Sequence, residues 1–181
     1  NIAESVNRPV AVFLPKCIDA VIANIAIMKS ANIFMNLDVK TPGQRLSNIV
    51  DLIEPVLIIT DVKNVELINE VSGKIPILII DDVNWEENIN KETVKQQWSS
   101  VIDTDPFCII NTSGSTGTPK GVVLNHLSFL DFIYRSHEAF NIGENEIMGS
   151  LSPLVFDIYV LELCMLMYRS ATIVLLPAHL S

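Results

Sequence analysis

An α/β protein, a doubly wound and mostly parallel sheet flanked by helices, is predicted by three observations. Short, strongly apolar runs recur, among them PVAVFL at 9–14, VLIIT at 56–60 and IPILII at 75–80, and they read as strands covered on both faces. Segments with apolar residues at helical spacing separate these runs. The 181 residues, 49% hydrophobic, are enough for one substantial core, and no linker or internal repeat divides them.

In chain order, the run from Pro9 to Leu14 is a strand closed by Pro15, and Cys17 to Lys29 is a helix. Asn32 to Leu37 is a second short run leading to Asp38. Thr41, Pro42 and Gln44 then read as an N-cap, a first helical residue and a capping-box partner. That helix runs to about Glu54, where Pro55 stops it. Strands at Val56–Thr60 and Ile75–Ile80 flank a helix near Val62–Val71, the pattern of a parallel sheet covered on both faces. Asp82 to Asp105 is polar and reads as a surface excursion with one helical turn. Strands follow at Phe107–Asn111 and Gly121–Asn125, then a helix at His126–Phe140, an extended run at Ile147–Leu151, a helix at Phe156–Tyr168 and a last strand at Ala171–Pro177.

Composition excludes some functions. A formal charge of −9 argues against sequence-independent nucleic-acid binding, which draws its affinity from Lys and Arg. Cys17, Cys108 and Cys164 are odd in number and lack metal-ligand spacing, so they read as reduced thiols of a cytoplasmic protein. The two most apolar stretches, 18–28 and 154–167, carry charges and fall short of the ~20 apolar residues of a membrane span. The chain starts at Asn1 with no basic leader, so the sequence reads as a truncated domain without a signal peptide.

The chemistry is concentrated between the strands at 107–111 and 121–125. Thr112, Ser113, Gly114, Ser115, Thr116, Gly117, Thr118, Pro119, Lys120 and Gly121 supply five hydroxyls, three glycines and a lysine. Glycines let backbone N–H groups face an anion, hydroxyls donate to phosphate oxygens or share a metal ion, and lysine adds a point charge. A Ser/Gly linker has a similar composition, but it has no reason to sit between two strands or to end in Pro-Lys-Gly. A Walker-type loop is also disfavoured. The glycine-to-lysine spacing differs, and the residues after Lys120 read as strand rather than helix.

TSGSTGTPKG resembles the phosphate-loop signature of the adenylate-forming superfamily, which includes acyl-CoA synthetases, luciferases and nonribosomal peptide synthetase adenylation domains. Met28 to Asp38 with Gln44-Arg45-Leu46, and Gly121 to His126, resemble further segments of that superfamily. The chain departs from the pattern at Ser30 and Ala31 (usually alanine and glycine), Asn36 (proline), Gln44 (glutamate), Asn111 (an aromatic residue) and Ser170 (glycine).

The resemblance implies a fragment of the large N-terminal domain of an adenylate-forming enzyme, with 1–181 a partial AMP-binding subdomain. The adenine-binding part and the C-terminal domain with the catalytic lysine would lie beyond Ser181, so no catalytic residue is assigned. It implies that 112–121 hold the phosphates of ATP, with Thr116 sharing Mg²⁺. Ser152 to Asp157 resembles the motif of amino-acid-activating members, whose aspartate pairs with the substrate ammonium group; Ile158 and Leu161 would then line an apolar side-chain pocket. A helix cap is the other reading of Asp157. The implied reaction forms an acyl-adenylate with release of pyrophosphate, for transfer to a carrier-protein phosphopantetheine thiol. An acyl- or aryl-CoA ligase and a non-catalytic domain that kept the fold are the alternatives. Sheet edges left open by truncation would favour self-association.

Overall fold

The computed structural model describes residues 6–86, 90–113, 119–140 and 143–177. Four parallel strands come first: β1 (Pro9–Phe13), β2 (Ile33–Asn36), β3 (Leu57–Thr60) and β4 (Ile77–Ile79). β5 (Pro106–Ser113) lies parallel to β2, and β6 (Pro119–Asn125) returns antiparallel to β5. The resulting six-stranded sheet has the order β4-β3-β1-β2-β5-β6. A second, two-stranded parallel sheet pairs β7 (Ile147–Ser150) with β8 (Thr172–Leu175).

The double winding follows from the strand order. The crossover through α1 (Ile18–Lys29) steps from β1 to one side, and that through α2 (Gly43–Ile53) steps back past β1 to β3. Right-handed crossovers in opposite directions place their helices on opposite faces. The core divides accordingly. Val10, Val12, Phe34 and Cys108 pack with α1, α5 (His126–Phe140) and α6 (Asp157–Arg169), whereas Ala11, Phe13, Ile33, Met35 and Ile109 pack with α2 and α3 (Val65–Ser72). Alternate residues of each strand thus feed two cores, which is why the strands read as unbroken apolar runs.

The fold class is as the sequence predicts, and several boundaries are not. Thr41 is not the N-cap of α2: Pro42 occupies that position with no side-chain bond, and Gln44 donates to Asn48 Oδ1 instead. Asp38 pre-empts the capping box, because its side chain and carbonyl accept the N–H groups of Lys40 and Thr41 and set the turn. α3 starts later than predicted because Asp61 Oδ1 accepts from Lys63 and Asn64 N–H. The polar excursion holds a nine-residue helix, α4 (Lys91–Ser99), capped by Asn90, whose side chain accepts from Glu92 and Thr93.

Candidate functional site

β5 and β6 extend further into the Ser/Gly-rich segment than their composition suggests. Thr112 pairs with Lys120 and Ser113 with Pro119 in antiparallel register, and the Thr112 hydroxyl donates to the Lys120 carbonyl at 3.4 Å. Four of the residues predicted as loop therefore belong to the arms of a hairpin. Gly114, Ser115, Thr116, Gly117 and Thr118 lie outside the described residues, so the assigned metal-sharing hydroxyl of Thr116 does too. Because β5 runs parallel to β2, its end at Thr112 and Ser113 lies at the carboxyl edge of the parallel strands, where ligands of open α/β sheets bind.

Gly121 has a packing role. A Cβ there would lie 2.8 Å from Ile53 Cδ1 and 3.1 Å from Ile109 Cγ2. Its missing side chain lets α2 close on the hairpin, which the reading as a phosphate-loop glycine had not included.

Three polar contacts bring the start of α6 to the same edge. Lys16, just past β1, donates to the Ser150 carbonyl at 2.5 Å, and Asn36, the last residue of β2, donates to the Leu154 carbonyl at 3.0 Å. Further along, buried Asn24 of α1 donates to the Tyr159 hydroxyl at 2.9 Å. Asp157 is the first residue of α6, and Phe156 before it is the N-cap, without a side-chain bond. Asp157 is therefore not the N-cap residue, although its carboxylate meets a first-turn N–H of the helix. Its Oδ1 accepts from the adjacent Ile158 N–H at 2.9 Å, and the carboxylate is exposed at the positive end of the helix dipole.

Asp157 and Phe156 border a cleft of about 480 Å³ with Thr112, Asn111, Ile110, Val122 and Leu124. One end of the predicted phosphate hairpin and the predicted ammonium partner thus share one cavity. Ile158 and Leu161 do not line it: Ile158 is exposed, and half-buried Leu161 packs against the core. Glu162, one turn into α6, is buried, which pushes its carboxyl up against the opposing pull of the Ser150 hydroxyl and the Lys16 ammonium. No three His, Cys, Asp or Glu among the described residues form a group that could hold a metal.

Asn111 was noted in the sequence only as a departure from an aromatic residue. Both of its side-chain polar atoms are buried without a hydrogen-bond partner. That departure, an amide next to the first loop hydroxyl, was the signal available.

The doubly wound sheet, with the Thr112 and Lys120 arms of a hairpin at its carboxyl edge, defines an α/β protein of the open-sheet class. The model of the AMP-binding enzyme family matches residues 5–181, and the chain belongs to that family. It is 32% identical over 166 residues to a dimodular nonribosomal peptide synthase of Bacillus subtilis (strain 168), covering 92% of this chain and 7% of that one. The chain therefore spans a small part of the length of the curated relatives it matches. Among solved structures, a four-domain nonribosomal peptide synthetase bound to AMP and glycine is 25% identical, with a TM-score of 0.76 over 96% of this chain and 13% of that one. ATP-bound MatB from Rhodopseudomonas palustris shares the fold at 15% identity and a TM-score of 0.78, over 97% and 36% of the two chains. No helix among the described residues is long and apolar enough to cross a membrane.

Proposed function

We propose that this chain is part of an enzyme that activates an amino acid as its adenylate, using ATP and releasing pyrophosphate, for transfer to a carrier-protein thiol. The observation that carries the proposal is the single cleft bordered by Thr112, at the base of the phosphate hairpin, and by the exposed Asp157 carboxylate. The glycine- and AMP-bound relative supports the same reading.

When bound, ATP supplies the electrophilic α-phosphorus that the substrate carboxylate attacks. The chain's own contribution is positioning and charge. Residues 112–121 hold the phosphates, and Lys120, solvent-facing on β6, offsets their charge. Mg²⁺ fits a set of loop hydroxyls and nucleotide phosphates, since it binds oxygen ligands and needs few protein carboxylates. Asp157 holds the substrate ammonium group and so orients its carboxylate. Ile158 and Leu161 complete a side-chain pocket only if the substrate reaches one turn along α6. The 181 residues alone bind nucleotide weakly and do not turn over, and the free Cys17, Cys108 and Cys164 suit a reducing, cytoplasmic setting.

The test is ATP–pyrophosphate exchange by the full-length natural polypeptide carrying this chain, with a panel of amino acids and simple carboxylic acids and Lys120→Ala as control. Exchange with an amino acid, falling at least about tenfold in the control for the loss of one charge-assisted contact, supports the proposal. Exchange with non-amino acids alone moves the protein to the acyl-ligase branch, and no exchange with any acid overturns the activity.

A further inference from the structure

A groove of about 650 Å³ opens between the last turn of α1 and α4. Lys29, on its wall, is the last residue of α1 before the turn into β2. Trp98, on the other wall, sits edge-on to His126, whose N–H bonds the Asp105 carbonyl just before β5. The groove therefore lies at the amino edge of the parallel strands, opposite the edge that carries Thr112 and the proposed site. Ala26, Val94 and Trp98 supply its apolar surface, and Lys29, Lys91 and Lys95 its charge. No acidic residue lines it among the described residues, although the whole chain carries a formal charge of −9.

The charges of α4 work against the helix that carries them. Lys91 is its first residue, where the helix dipole disfavours a cation, and Lys95 follows at i+4, where like charges repel. None of the three lysines makes an ion pair or a side-chain hydrogen bond among the described residues. No residue of α4 is buried, Trp98 is 47% exposed, and nine residues are too few for an isolated helix to hold itself in water. Lys91, Val94, Lys95 and Trp98 fall at i, i+3, i+4 and i+7, which is one face of the helix. An anionic partner laid on that face relieves the repulsion and covers the apolar stripe. A small amphiphile brings one head group to one lysine, whereas lysines one turn apart match carboxylates at the same spacing along a second helix.

We propose that the α1–α4 groove docks an acidic amphipathic helix of a partner protein, its apolar face on Val94 and Trp98 and its carboxylates on Lys29, Lys91 and Lys95. The surface is separate from the adenylation site and does not depend on that reading. The test is fluorescence anisotropy of a labelled helical peptide, a Leu stripe flanked by Glu at i and i+4, titrated with the full-length polypeptide carrying this chain. Saturable binding is expected, weakened about tenfold or more in Lys91→Glu/Lys95→Glu and in Trp98→Ala, as for repelled charges and a lost aromatic anchor. The same peptide with Lys in place of Glu binds Lys91→Glu/Lys95→Glu more tightly than it binds the wild type, a regain that an unfolded variant cannot give. The proposal is overturned by no saturable binding, by a scrambled peptide binding as tightly, by unchanged affinity in Lys91→Glu/Lys95→Glu, or by no regain with the Lys peptide. Dodecanoate binding more tightly than the peptide would make the occupant a small amphiphile and overturn it too. So would wild-type self-association that Lys91→Glu/Lys95→Glu abolishes, which would make the occupant a second copy.

Discussion

At the residue scale, the positions where this chain departs from the family pattern become physical statements once their backbone is known. Ala31 and Ser170, where glycine is usual, both have left-handed backbone, with φ of 59° and 54°. They follow α1 and α6, where a positive φ ends a helix and a Cβ is disfavoured. Ser170 is exposed, so Ser170→Gly removes strain without opening a cavity; it should stabilise by about 1 kcal/mol in denaturant unfolding. Asn36, where proline is usual, donates to the Leu154 carbonyl as no proline could, and so ties β2 to the approach of α6. His126 packs on Phe107 at 5.3 Å between ring centroids, and burial lowers its pKa against the opposing pull of Asp105. Above about pH 6.5 the ring is neutral folded and unfolded. As pH falls through that value the unfolded chain takes the proton first, and stability is lost. The melting temperature should fall more between pH 7 and pH 5 for the wild type than for His126→Gln; equal slopes would refute the assignment.

At the scale of elements, the helices and strands were legible because apolar spacing is set by burial, whereas their ends are set by local side-chain bonds that spacing does not reveal. The start of α2 was misplaced because Asp38, not Thr41, organises the turn. The hairpin arms were read as loop because Thr112, Ser113, Pro119 and Lys120 carry no strand-like pattern; the β5–β6 register forms strand there regardless. Gly121 shows the tertiary side of that register: Gly121→Val forces Ile53 aside and should destabilise by about 1–3 kcal/mol. The attachment of α6 includes a polar pair that no spacing indicated, Asn24 with Tyr159, which is fully buried. Asn24 Oδ1 already lacks a partner, so Tyr159→Phe leaves the whole amide unmet and should cost about 1–3 kcal/mol. A change below about 0.5 kcal/mol would mean that packing alone holds the helix, since that is the lower bound for a net hydrogen bond.

At the scale of the molecule, the doubly wound sheet was legible from continuous apolar strands, because a sheet covered on both faces admits few other patterns. The convergence of the site was not. Thr112 and Asp157 are far apart in sequence, and tertiary contacts bring them to one cleft, among them the bonds from Lys16 and Asn36 to the segment before α6 and the packing of α6 on the core. That convergence is the centre of the functional account, and Asp157 is its most specific element. The direct measurement is amino-acid-dependent ATP–pyrophosphate exchange by Asp157→Ala in the full-length polypeptide, with a deaminated analogue of the preferred amino acid in parallel. Loss of the ammonium partner should lower exchange with the amino acid by about tenfold or more, the worth of one charge-assisted bond, and leave the analogue unchanged. Equal loss for both substrates, or loss for neither, would contradict the role given to Asp157.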